Sequence, residues 1–323
     1  MNCLCCGKPL REPIPASGWH PACIRRFFGT KTMPEIELTD ETLIALAEKA
    51  AQKGYTVPGV QKKLSLHLSM EGSPRLTMVD YPTGYILKPQ VMEFRALPES
   101  EHLVMRMAAS AGLSVVPHAL VRLKDGWAYL TRRVDRERDE NNDSMKMLAM
   151  EDFCQLDLRL TQDKYRGSYE RCVKVIQRYS SRPGLDLSEL FLRLVFCFLT
   201  GNSDMHLKNF SLIETAPESG VYVLSPAYDL LPVNVIMPED QEEFALTMNG
   251  KKTSLRRKDF LVFAEASGIP RKAAEAMIRK MLDYIPKWIS MCEDSLLPSD
   301  MKKTLIELLQ FRAGKLNKAQ TQT

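Results

Sequence analysis

Leu64, Leu66, Leu68 and Met70 alternate with Ser65, His67 and Ser69. A period of two puts the four apolar side chains on one face of a strand. Glu71-Gly72-Ser73-Pro74 turns the chain into a second strand, Arg75–Val79. A third, Tyr85–Lys88, ends at Pro89, which lacks the N–H that a ladder needs. Ser100 can cap a helix from Glu101 to Ala111 that Gly112 stops. Two further strands, Ala119–Leu123 and Trp127–Val134, flank the hairpin turn Lys124-Asp125-Gly126. Upstream, Thr39 can cap a helix through Leu43, Leu46, Ala47 and Ala50 that ends at Gly54, and a glycine-containing loop, Thr56–Lys63, follows it.

From Met150 onward the spacing is mostly helical. Leu187, Leu190, Phe191, Leu194, Val195 and Phe198 predict a deeply buried helix. Two short strands, Phe210–Ile213 and Val221–Leu224, interrupt the helices, and the last 65 residues read as a helical bundle. The pattern divides the chain into a small N-terminal Cys/His knuckle (1–34), a sheet-rich N-terminal lobe (35–135) and a helical C-terminal lobe (136–323). The fold class expected is α+β, two-lobed and protein-kinase-like. The length of 323 residues agrees with two lobes at roughly 150 residues each.

Composition narrows the function. Lys plus Arg is 44 and Asp plus Glu 40, a net charge of only +4. That near-balance argues against a nucleic-acid coat or a polybasic membrane binder. Hydrophobic residues at 45% and charged residues at 26% suit a globular core. The longest solid apolar run, Leu194–Leu199, is too short to span a bilayer, and the N-terminus has no signal pattern. The expected location is cytoplasmic, with no membrane contact. The cysteines are uneven: four of the eight lie in the first 23 residues. In a cytosolic chain, clustered cysteines point to metal before disulfide. Cys3-x2-Cys6 followed by His20-x2-Cys23 offers four ligands of the type Zn2+ takes tetrahedrally, and Gly7 fits the turn of such a knuckle. Cys5 is a spare thiol that could swap in. The alternative is a frayed terminus with reduced, unligated cysteines. Arg25-Arg26 is a meagre basic patch for a nucleic-acid finger.

The densest chemistry lies in Gly201-Asn202-Ser203-Asp204-Met205-His206-Leu207-Lys208-Asn209-Phe210. An Asp followed five positions later by Asn has the spacing of a kinase catalytic loop, where the Asp accepts the substrate proton and the Asn holds Mg2+. Asp229, in Tyr228-Asp229-Leu230, occupies the place of the second metal carboxylate. Phosphoryl transfer needs such groups because it is mostly positioning and charge neutralisation. Read singly, Asp204 would be a polar residue of a helix-terminal loop and Asp229 a turn residue; their order and spacing favour the kinase. Lys208 faces phosphates or substrate, and His206 packs against the nucleotide or braces the loop. Lys88 has the place of a strand lysine that contacts ATP phosphates, with Glu101 its natural partner and Glu99 close by. The loop Thr56–Lys63, with Gly59 its one glycine, has the place of a phosphate loop. Lys251-Lys252 with Arg256-Arg257-Lys258 is either a tRNA-facing patch or a solvated helix start.

That loop, the Lys88 strand, Gly-Asn-x-Asp-x-His-x-x-Asn and Tyr-Asp together resemble the HipA-like serine/threonine kinase toxins, over roughly residues 35 to 315. The resemblance implies a HipA-like kinase fold and Mg-ATP as cofactor. It also implies Asp204 as base, Asn209 and Asp229 as Mg2+ ligands, and Lys88 as an ATP ligand. Gln155 matches a family segment near the nucleotide. The family's regulatory serine, autophosphorylated at the start of the glycine-containing loop, is replaced here by Thr56, and the second serine of HipT-type members by Pro58. A phosphate dianion at that place would repel ATP. The chain has no room for the extra N-terminal subdomain of full-length HipA, so it resembles the short HipT type of HipBST-like toxin–antitoxin systems. The resemblance then implies a small HipS-like antitoxin and a HipB-like DNA-binding protein as partners, an aminoacyl-tRNA synthetase as substrate, and no direct nucleic-acid binding by this chain. A small-molecule kinase of aminoglycoside-phosphotransferase type shares the Asp-x4-Asn spacing and stands as the alternative, with a pseudokinase or zinc-anchored interaction module third.

Overall fold

The computed structural model describes residues 1–36, 63–69, 73–77, 84–124, 126–139 and 144–317. The helix expected after Thr39, and Thr56 and Gly59 with most of their loop, lie outside the described residues. The chain forms two compact units: Met1–Pro98 with Pro117–Arg133, and Glu99–Val116 with Val134–Thr323.

The first unit is built on a six-stranded sheet of order β1-β3-β2-β4-β6-β5. The strands are β1 (Glu35–Ile36), β2 (Leu64–Ser69), β3 (Arg75–Thr77), β4 (Tyr85–Pro89), β5 (His118–Leu123) and β6 (Gly126–Arg132). The alternation in β2 buries Leu64 and Leu66 and exposes Ser65, as a one-sided sheet requires. The sheet is antiparallel except where β1 joins β3, with Glu35 opposite Arg75 and Ile36 opposite Leu76.

Helix α1 (Pro21–Phe28) was not visible in the strand-and-knuckle pattern. Its Ile24, Phe27 and Phe28 share one face and are buried, and Gly29 ends it in the left-handed conformation. Trp19, Phe27, Phe28 and Tyr85 form one aromatic cluster, with centroids 4.9 to 5.9 Å apart. The amino-terminal segment therefore shares its core with Leu64, Leu66, Leu76 and Leu130 of the sheet.

Helix α2 (Leu97–Ser110) starts earlier than the expected Glu101. Pro98 suits a first turn, and the Gln90 side chain accepts the Leu97 N–H at 3.2 Å. Ser100, expected as the cap, is instead buried inside the first turn. The second unit holds the rest of that helix and the remaining elements: the hairpin β7 (Arg136–Asp139) and β8 (Ser144–Met147), β9 (Met150–Asp152), α3 (Phe153–Leu156), α4 (Tyr169–Tyr179), α5 (Pro183–Thr200), β10 (Ser211–Glu214), β11 (Tyr222–Leu224), α6 (Val233–Ile236), α7 (Arg257–Ala266), α8 (Arg271–Asp283), α9 (Ile285–Glu293) and α10 (Ser299–Leu316). β9, β10 and β11 form a three-stranded antiparallel sheet. Helix α5 is buried almost all round from Leu190 to Thr200, which its continuous apolar run dictates. Trp288 of α9 packs edge-on against Phe196 and donates its indole N–H to the Met107 carbonyl of α2.

Candidate active site

Helix α5 ends at Gly201, held at φ 75, and a Cβ there would lie 2.5 Å from Leu308 Cδ2. A left-handed residue whose side chain would displace Leu308 strongly favours glycine at this exit. Asn202 then folds the loop on itself: its Oδ1 accepts the Asp204 N–H at 3.2 Å and its Nδ2 donates to the Asp229 carbonyl at 3.5 Å. Behind the loop, Ser203 Oγ meets Asp240 Oδ2 at 2.5 Å. Asn234 donates to the carbonyls of Asp240 and Glu242. Arg312 of α10 reaches the Asn234 Oδ1 and the Phe198 carbonyl, both at 2.6 Å. Burial depresses that guanidinium to about 10.

Asp204 is half-buried on the loop so formed. Its backbone carbonyl accepts the His206 N–H at 2.8 Å and the Asn209 Nδ2 at 2.9 Å. That second bond orients the Asn209 amide and leaves its oxygen as the end a cation would take. The Asp204 carboxylate accepts the Tyr165 hydroxyl at 2.7 Å. Burial raises the Asp204 pKa above the ordinary carboxylate value; the Tyr165 hydrogen bond and the Lys164 ammonium oppose the rise, while the charges of Asp229 and Asp240 add to it. Asp229 itself sits at φ 55, an uncommon left-handed position for a non-glycine residue that Asp tolerates better than most. Tyr228 braces the adjoining strand, sharing a 2.6 Å hydrogen bond with Ser211 and donating to the Lys208 carbonyl at 3.1 Å.

The second unit thus brings Asp204, His206, Lys208, Asn209 and Asp229 into one loop system. His206 is buried, with its ring edge-on to Tyr165 at 5.0 Å. The Lys208 ammonium pairs with Asp152 at 2.6 Å, because β9 sets Asp152 opposite Ser211 in the ladder. The Gln155 side chain accepts the Asp152 N–H while Asp152 accepts the Gln155 N–H, a capping box at the start of α3. Glu101, also in this unit, is fully buried, and burial raises the pKa of Glu99. Lys88 belongs to the first unit, on β4, 3% exposed, with its ammonium 5.2 Å above the Tyr129 ring. In the same unit the ligand atoms of Cys3, Cys6, His20 and Cys23 lie within 4.8 Å of one another.

The basic stretch is largely spent within the chain. Lys251 pairs with Asp259, Lys252 with Glu242, and buried Arg257 donates to the Leu316 carbonyl. Sequence reasoning missed Tyr165, Asp152, Asp240, Asn234 and Arg312. Asn202 was inside the quoted motif and could have been assigned from its ability to hydrogen-bond its own loop. Asp152 also carried a local signal, the Asp-x-x-Gln spacing of its capping box; the others carry none.

Residues 55–289 match the sequence profile described as HipA-like C-terminal domain. A protein of Sinorhizobium fredii described as a candidate kinase, Y4mE, is 31% identical over 246 residues, which cover 72% of this chain and 56% of that protein. The serine/threonine-protein kinase toxin HipA of Shewanella oneidensis is 25% identical over 73% of this chain and 56% of its own length. The chain therefore spans little more than half the length of these relatives. Among solved structures, a chain of the Shewanella oneidensis complex of HipA, HipB and operator DNA superposes with a TM-score of 0.70 at 20% identity, covering 87% of this chain and 72% of that one. The proinflammatory kinase CtkA of Helicobacter pylori gives 0.53 at 18% identity, covering 74% of this chain and 90% of that one. These likenesses establish a mixed α+β, kinase-like fold.

Proposed function

The chain belongs to the HipA-like C-terminal domain family, and from that premise we propose that it is a serine/threonine protein kinase using ATP and Mg2+. The observation that carries the reading is the loop of Asp204. One short turn holds a half-buried carboxylate, an asparagine amide hydrogen-bonded to that residue's own carbonyl, and a tie to the backbone of Asp229. Asp204 takes the proton of the attacking hydroxyl. Its raised pKa makes it a better proton acceptor than an ordinary surface aspartate. Asn209 and Asp229 would hold Mg2+, since both offer the hard oxygen donors that ion takes. The repulsion of Asp204 by Asp229 and Asp240 is also what a bound cation would relieve. Mg2+, when bound, neutralises charge on the phosphate oxygens.

In this reading Lys88 contacts ATP phosphates with Glu101 as its partner, and the loop of Thr56 and Gly59 covers them. His206, Lys208 and Gln155 border the nucleotide. Lys208 would exchange its Asp152 partner for phosphate. Thr56 is an autophosphorylation site whose phosphate excludes ATP. The fuller proposal is a cytoplasmic HipT-type toxin that phosphorylates an aminoacyl-tRNA synthetase. Its partners would be a HipS-like protein and a HipB-like DNA-binding protein; the HipA–HipB complex among the structural relatives supports only the second.

The test is labelling of a bacterial extract with radioactive ATP. Wild type should label a discrete protein, and Asp204→Asn should lower the rate by about 100- to 10,000-fold while still binding Mg-ATP. Equal labelling by both proteins would sink the reading. ATP turnover that depends on an added small molecule would replace it with the aminoglycoside-phosphotransferase type. Phosphoproteomics of cells expressing the two proteins then identifies the target, and the absence of any synthetase peptide removes that substrate class.

A further inference from the structure

The amino-terminal cluster lies in the first unit and Asp204 in the second, and the geometry of the cluster is that of a metal seat. Cys3 and Cys6 lie on a tight turn in which Gly7, at φ 69, donates its N–H to the Cys3 carbonyl at 2.8 Å. The Cys3 sulfur accepts the His20 N–H at 3.4 Å. His20 is also the residue before α1, and Cys23 lies in that helix's first turn. The tautomer of His20 follows from its partners. A carbonyl oxygen only accepts, so Nε2, 3.1 Å from the Pro9 carbonyl, is the nitrogen that carries the proton. In the neutral imidazole Nδ1 then carries the lone pair, and it faces two sulfurs: Cys6 Sγ at 3.4 Å and Cys23 Sγ at 3.9 Å.

Those spacings fit a definite ion. A tetrahedral zinc with bonds of about 2.3 Å to sulfur and about 2.0 Å to nitrogen sets nitrogen–sulfur edges of about 3.6 Å. The two observed distances bracket that value. The Pro9 carbonyl supplies the outer hydrogen bond that metal-bound imidazoles almost always make.

We propose that Cys3, Cys6, His20 and Cys23 hold one structural Zn2+ ion, and that this ion clamps the amino-terminal segment over the exposed edge of the sheet. β5 is an edge strand. The segment covers it at Leu120, whose N–H donates to the Leu4 carbonyl at 2.9 Å and whose carbonyl accepts the Trp19 indole N–H at 3.1 Å. Leu4 lies between the first two ligands and Trp19 immediately precedes the third. The metal thus fixes the two residues that satisfy an otherwise open edge. Cys5 is not a ligand: its sulfur is outside the group of four whose ligand atoms lie within 4.8 Å of one another.

All four ligands lie in the first unit and Asp204 in the second, so the test needs no kinase activity. Full-length protein purified without chelator should contain about one zinc per chain by elemental analysis. His20→Cys, which keeps four ligands, and Cys5→Ser should retain it. Cys6→Ser and Cys23→Ser should lose most of it, and stripping zinc from the wild type should shift tryptophan emission to the red as Trp19 is uncovered. If a ligand variant does not fold, uptake of Co2+ by the stripped wild type reads the same site, with tetrahedral thiolate bands expected. A chain that carries no zinc and takes up none from an equimolar supply overturns the proposal. So does zinc retained in both ligand variants, or iron in its place.

Discussion

At the scale of single residues, the most informative contact is the one between Tyr165 and Asp204. A tyrosine that is 45% exposed donates to the carboxylate assigned as base. Its own pKa is driven up, by desolvation first and then by the neighbouring Asp204 charge. A donor to the ionised form lowers a carboxyl pKa, so removing it must raise one already raised by burial. Tyr165→Phe is therefore expected to move the acid limb of the kcat/KM profile to higher pH, with activity recovered on the alkaline side. An unshifted limb in an active variant would show that the hydroxyl does not set the base. The spacing from Asp204 to Asn209 and the later Asp229 were readable because the chemistry constrains neighbours along the chain. Tyr165 was not, since it approaches Asp204 from 39 residues away with nothing local to mark it.

At the scale of elements, the loop of Asp204 is held from behind by α10. Arg312 on α10 is 5% exposed and stacks over Phe198 at 5.1 Å while donating to the Phe198 carbonyl and to Asn234. A guanidinium buried deeply enough to lose basicity is retained only because its hydrogen bonds are made. Arg312→Ala removes two charge-assisted bonds and leaves a cavity against Phe198. It should lower unfolding stability by about 2–4 kcal/mol, read as a shift in the denaturant midpoint. A change within about 0.5 kcal/mol would show that α10 does not brace the loop. The same scale shows where patterning failed. Helix α2 began at Leu97 because Pro98 and the Gln90 side chain supply its start, and a cap from a residue seven positions upstream is not a periodic signal. α1 was hidden by its shortness and by the cysteines around it.

At the scale of the whole molecule, charge and chemistry are distributed by unit. The net charge of +4 is small, and the basic stretch 251–258 is mostly paired within the chain. Among the described residues no helix is long and apolar enough to cross a membrane. The chain alone is expected to bind duplex DNA only at the weak non-specific level, with a Kd of about 10⁻⁴–10⁻⁶ M that weakens with salt. A gel-shift titration at two salt concentrations checks this; tight, salt-resistant binding without a partner protein would mean that a nucleic-acid surface has been overlooked.

The sequence by itself marked strands β2 to β6, β10 and β11, helices α2 and α5, and the spacings Asp204–Asn209–Asp229 and Cys3–Cys6–His20–Cys23, but not α1, β1, the hairpin β7–β8 or β9. Each feature so marked is a local spacing imposed by backbone period or by coordination chemistry. Tertiary structure alone decided what surrounds them: the Tyr165 hydroxyl on Asp204, Arg312 behind the loop, Asp152 on Lys208, and Leu4 and Trp19 closing the edge at Leu120. Those contacts join residues tens to more than a hundred positions apart. Only the packed chain, in which burial makes each unsatisfied polar group costly, selects such partners.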